Sequence, residues 1–118
     1  MKSILIVDDN PNMSSLLCEM LEVFDYKPVR ASDGEQALSE LEKHDISMVI
    51  TDMRMPTMTG LELLEKVKRR DPKMPVVLIS GYSLDEIENG NEFVRPDGFL
   101  AKPFMMSDIE KLLNDLIS

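Results

Sequence analysis

Apolar residues recur along this chain in two rhythms. Short continuous runs at 4–7, 48–50 and 76–79 alternate with stretches where apolar positions return every three or four residues. A short apolar run rich in β-branched residues fits a strand covered on both faces of a sheet. The three-four spacing fits a helix with one inward stripe. Ser3–Val7 is therefore predicted as a first strand. Met13, Leu16, Leu17, Met20, Leu21 and Phe24 predict the inward stripe of a helix that opens at Pro11 and ends near Asp25 and Tyr26. Lys27–Ala31 reads as a weaker strand, and Pro28, with no amide hydrogen for a ladder, puts it at an edge.

The same alternation continues. Ser32 with Glu35 three residues later has the form of a capping box, which predicts a helix with Ala37, Leu38 and Leu41 inward. Residues 48–51 are a buried strand that runs into Asp52. Thr59 with Glu62 predicts the next helix start, with Leu63, Leu64 and Val67 inward and Lys66, Lys68, Arg69 and Arg70 at its negative end. Residues 76–79 form the clearest buried strand and end at Ser80. Ser83 with Glu86 starts a fourth helix that should be short or irregular, because few apolar residues follow before Asn89, Gly90 and Pro96. Gly98–Ala101 is a last strand, and Ser107 with Glu110 opens a helix with Ile109, Leu112, Leu113 and Leu116 inward. Five strand–helix units joined by short connections predict an α/β fold, a parallel sheet with helices on both faces.

Composition narrows this picture. The 118 residues make one domain, 1–118, and 43% hydrophobic residues suffice for a single core. No apolar stretch reaches the roughly 20 residues that cross a bilayer, and no signal pattern opens the chain. One cysteine, Cys18, makes no internal disulfide and reads as a small packed helix residue, so a reducing, cytoplasmic setting is expected. The formal net charge of -9 argues against direct nucleic-acid binding and suits protein partners or a bound cation. His44, at a helix end, reads as a surface cation.

The candidate chemistry sits at strand ends. In open parallel sheets ligands bind beyond the carboxyl ends of the strands. Those ends carry Asp8 and Asp9, Asp52, Ser80 and Lys102. Asp52 alone is either a loop cap or a reactive centre. Several carboxylates on one rim raise each other's pKa or require a cation, and oxygen donors point to a hard ion, Mg²⁺ rather than Zn²⁺. Carboxylates for a metal, a lysine and a small hydroxyl together suit a phosphoryl group. The glycines are isolated, so no loop cradles a nucleotide, and a covalent acyl phosphate is the alternative.

These residues resemble the receiver domain of two-component response regulators. The resemblance rests on Asp8-Asp9, on Thr51-Asp52-Met53-Arg54-Met55-Pro56, on Ser80 and on Lys102-Pro103-Phe104, and it spans the chain. It implies a flavodoxin-like, doubly wound five-stranded sheet in the order 2-1-3-4-5. It implies Asp52 as phosphoacceptor, and Mg²⁺ held by Asp9, Asp52 and the backbone carbonyl of Arg54, with Asp8 holding a metal-bound water or the metal itself. It assigns Lys102 and Ser80 to the phosphoryl group, Ser80 and Phe99 to a switch, and a cis bond to Lys102–Pro103. The implied partners are a histidine kinase or phosphotransfer protein, and a downstream protein or attached output domain. Phosphorylation would alter the face formed by the fourth helix, fifth strand and fifth helix. The domain would be regulatory rather than an enzyme, although it assists its own phosphorylation and slow autodephosphorylation.

Other classes fit less well. A haloacid-dehalogenase-like phosphatase with an Asp nucleophile wants a second Asp two residues later, where this chain has Arg54. A flavodoxin-like cofactor binder wants a phosphate loop and flat aromatic walls, and this chain has no Trp. An unphosphorylated receiver-like interaction module would lack Asp52 or Lys102.

Overall fold

The computed structural model describes residues 1–80 and 95–117. The strands are β1 (Ser3–Val7), β2 (Lys27–Ala31), β3 (Ile46–Asp52), β4 (Val76–Ser80) and β5 (Gly98–Ala101). The helices among the described residues are α1 (Pro11–Val23), α2 (Gly34–Lys43), α3 (Gly60–Arg70) and a C-terminal helix (Met106–Leu116). The expected fourth helix falls on residues 81–94, outside the described residues.

All strand pairs are parallel, in the order β2-β1-β3-β4-β5. This is the doubly wound order expected above, with β2 and its Pro28 at one edge. Successive strand side chains point to opposite faces, so each strand feeds two cores. Leu5, Val7, Val49 and Leu78 pack with Ala37 of α2 and with Leu63, Leu64 and Val67 of α3. Ile4, Ile6, Met48, Ile50 and Ile79 pack with Leu17, Cys18 and Leu21 of α1 and with Ile109 and Leu113 of the C-terminal helix. The central strands thus bury both faces, which is why their sequences are continuous apolar runs rather than alternating ones.

Local details depart from the expectations. β3 starts at Ile46 rather than 48, because Ile46 is itself buried and pairs with Ser3. The N-cap of α2 is Asp33, whose carboxylate accepts the Gln36 N–H at 2.8 Å, while Ser32 N–H donates to the Gln36 side chain at 2.8 Å. The C-terminal helix starts at Met106 rather than after Ser107, with Asp108 reaching back to the Met105 N–H at 2.7 Å. The stripe of α1 is narrower than its periodicity suggests. Ser14, Leu17, Cys18 and Leu21 are buried, whereas Leu16 is 42% exposed. Thr59 caps α3 as expected, accepting the Glu62 N–H at 3.1 Å.

Candidate functional site

Parallel pairing brings the strand ends to one rim. Val7 pairs with Thr51, Asp52 with Ile79, and Ser80 with Ala101. The ladder extends just past these ends: Asp8 N–H donates to Ala31 C=O at 3.1 Å, Met53 N–H to Ile79 C=O at 3.0 Å, and Lys102 N–H to Ser80 C=O at 2.9 Å. Each candidate residue is therefore anchored through its own or its neighbour's backbone. One carboxylate oxygen from each of Asp8, Asp9 and Asp52 lies within 4.8 Å of the others. Lys102 Nζ stands 3.8 Å from Asp52 Oδ1. Ser80 closes β4 and is buried.

The three acids differ in environment. Asp9 is exposed and Asp52 half-buried, but Asp8 is only 4% exposed. Asp8 Oδ1 accepts the Asn10 N–H at 2.8 Å. Its Oδ2 is buried and finds no hydrogen-bond partner among the described residues. Burial, reinforced by the charges of Asp52 and Asp9, pushes the Asp8 carboxyl above its ordinary value; the Asn10 amide and the Lys102 ammonium oppose that shift. A buried carboxylate oxygen without a donor, beside two further carboxylates, is costly unless a cation completes the site. An all-oxygen donor set on an open rim fits Mg²⁺.

The loop after β3 is tightly held. Thr51 is fully buried, and its hydroxyl donates to the Asp52 carbonyl at 3.0 Å. Gly60 N–H donates to Met53 C=O at 2.9 Å, so the start of α3 presses against the end of β3. A Cβ at Gly60 would collide with the Asp52 carbonyl oxygen and sit 2.8 Å from Met53 Cα. Between them, Met58 N–H bonds to Pro56 C=O at 2.7 Å around Thr57, whose φ is 65°. That is a γ-turn of the rarer, strained hand. Periodicity shows Gly60 only as the first residue after a cap, so its close approach to β3 is a feature that sequence reasoning missed.

The remaining candidates are placed as follows. Arg54 is exposed, two residues beyond Asp52. Phe99 is half-buried in β5, opposite Leu78, and packs on the α2/α3 side of the sheet. Lys102–Pro103 is a cis peptide, as the resemblance implied. His44 is at the end of α2, 3.0 Å from Glu40, and Cys18 is buried in α1, so neither joins the rim. Among the described residues no helix is long and apolar enough to cross a membrane.

A doubly wound sheet with an acidic rim and a lysine facing it has donors that suit a cation and, beside it, an anion. Comparison with known proteins makes that class specific. The sequence model of the response regulator receiver domain matches residues 4–114. The response regulator receiver protein CpdR of Brucella abortus is 30% identical over 117 residues, which cover 96% of this chain and 98% of that protein. Sporulation initiation phosphotransferase F of Bacillus subtilis is 35% identical, with 92% and 87% covered. The solved structure of the response regulator TrrA of Thermotoga maritima, in complex with Mg²⁺ and BeF, superposes with a TM-score of 0.90 at 29% identity, covering 99% of this chain and 100% of that one. Other relatives are longer: the chain spans 42% of one response regulator and 16% of an autoinducer sensor kinase/phosphatase. The chain belongs to the response regulator receiver domain family. It is a regulatory, phosphoacceptor-type domain of two-component signalling, and its acidic cluster fits Mg²⁺ binding.

Proposed function

We propose that residues 1–118 act as one receiver unit in which Asp52 accepts a phosphoryl group from the phosphohistidine of a kinase or phosphotransfer protein. The observation that carries this reading is the placement of the Asp52 carboxylate beside two further acids, with Lys102 Nζ at 3.8 Å. An Asp52 carboxylate oxygen forms a bond to phosphorus as the bond from phosphorus to the histidine nitrogen breaks, leaving an acyl phosphate. Asp8, Asp9, Asp52 and the Arg54 carbonyl would hold Mg²⁺, which supplies charge neutralisation for the phosphoryl oxygens. Lys102 turns from the Asp52 carboxylate to a phosphoryl oxygen, and the Ser80 hydroxyl donates to another. Attack of water on the same phosphorus later releases phosphate and restores the carboxylate, a slow autodephosphorylation.

The added charge of about -1.5 to -2 draws Ser80 and Lys102 toward Asp52. The move frees space beside β5 for Phe99 to turn inward, and the surface around β5 and the C-terminal helix changes. A downstream protein or an attached output domain reads that surface, in the cytoplasm. The test is incubation with Mg²⁺ and acetyl phosphate. The expected result is a mass gain of one phosphoryl group in the wild type and none in Asp52→Asn. An adduct that persists in Asp52→Asn would overturn the assignment.

A further inference from the structure

β5 has four residues and, among the described residues, pairs along one side only, with β4. It nevertheless carries Phe99 and delivers Lys102 to the rim. Its register is fastened at both ends. At the rim the Lys102 N–H donates to the Ser80 carbonyl at 2.9 Å. At the opposite end Asp97 exchanges two bonds with a single residue: its N–H donates to the Val76 carbonyl at 2.8 Å, and its Oδ2 accepts the Val76 N–H at 2.9 Å. The same Oδ2 lies 2.6 Å from the Nζ of Lys68, in the last turn of α3. That ammonium also donates to the Met74 carbonyl at 2.7 Å. The Lys68 side chain is only 17% exposed. One partly buried ammonium thus joins α3, the residue before β5 and the approach to β4 through charge-assisted bonds.

A slip of one residue in β5 would turn Phe99 to the other face of the sheet and shift Lys102 by about 3.3 Å. We propose that Lys68 and Asp97 are a positioning pair for phosphoryl transfer. They set the register of β5 from the far end of the sheet and so hold the Lys102 ammonium at Asp52 and the Phe99 ring on the α3 side. The inference rests on the phosphoacceptor reading above for its chemical consequence, but the register claim stands on the bonds just described. Neither residue lies at the acidic rim, so the pair acts on Lys102 without touching the metal-binding carboxylates.

The experiment uses the full chain and compares wild type with Asp97→Ala, Asp97→Asn, Lys68→Met and Lys68→Arg. Three quantities are read: Mg²⁺ affinity, the rate of phosphorylation by acetyl phosphate with Mg²⁺, and hydrogen exchange of the Lys102 amide. In Asp97→Ala and Lys68→Met, Mg²⁺ affinity should match the wild type. Phosphorylation should slow by about tenfold or more, since an ångström-scale misplacement of a catalytic group costs that much. The Lys102 amide should exchange faster. Asp97→Asn keeps an acceptor for Val76 and should fall between; Lys68→Arg should recover the wild-type values. Unchanged exchange at Lys102 in Asp97→Ala overturns the inference, as does a loss of Mg²⁺ affinity in step with the rate, which marks general loosening. If the wild type itself takes no phosphoryl group, the phosphoacceptor reading fails, and the exchange measurement alone decides the register claim.

Discussion

Asp8 and Asp9 are neighbours in sequence and opposites in environment, one buried and the other exposed. The Asp8 carboxyl sits above its ordinary value of 3.8, chiefly through burial. A raised carboxyl binds its proton more tightly in the fold than in the unfolded chain. Its contribution is therefore present below the unfolded value and is lost as pH rises through the folded one. The metal-free chain should lose stability as pH climbs from 3.8 through the raised value, and Asp8→Asn should remove that component. At neutral pH, Asp8→Asn should stabilise the metal-free chain by roughly 1–3 kcal/mol, the cost of a buried unpaired group, while weakening Mg²⁺ binding. Urea midpoints across pH, with and without Mg²⁺, check this; a destabilised metal-free Asp8→Asn would contradict it. That Asp8, Asp9, Asp52, Ser80 and Lys102 belong together is legible in the sequence, because parallel strands share one carboxyl edge. Which acid is buried is not, since adjacent residues differ only in where the chain turns after β1. The Lys68–Asp97 contact is equally invisible, for nothing local links an α3 ammonium to a carboxylate before β5.

Elements were legible where burial alone decides them. β1, β4 and the inward residues of α3 follow from apolar runs and spacing. The ends of elements follow from competition between neighbouring polar groups, and there the reading slips by a residue or two. Ser32 and Asp33 both suit an N-cap, and the carboxylate of Asp33 takes the place. Leu16 shows that a stripe of period three-four does not say which of its members lies at the centre. The junction of β3 with α3 depends on a missing side chain instead. Gly60→Ala would drive a Cβ into the Asp52 carbonyl and Met53 Cα, both backbone. Gly98→Ala would meet first the Leu112 Cδ2, the movable tip of a side chain, at 2.6 Å. Gly60→Ala should therefore cost about 1–3 kcal/mol and slow phosphorylation at Asp52, while Gly98→Ala should cost less. Thermal melts and acetyl phosphate labelling of the two variants provide the check; an equal or reversed ranking would remove the junction's role.

At the scale of the molecule the sheet links the acidic rim to β5 through Lys102. Lys102→Ala should leave Mg²⁺ bound, because the carboxylates remain, but should cut phosphorylation and abolish the response at Phe99. NMR spectra recorded with and without Mg²⁺ and acetyl phosphate test this. If Phe99 responds in Lys102→Ala as in the wild type, the lysine is not the link. The far edge of the sheet carries a different consequence. β2 lies outermost, with Pro28 between Lys27 and Val29 and with Arg30 exposed. A strand edge with a missing amide hydrogen and two cationic side chains makes a poor template for another β-chain. That edge therefore gives the strand of a second copy little to pair with.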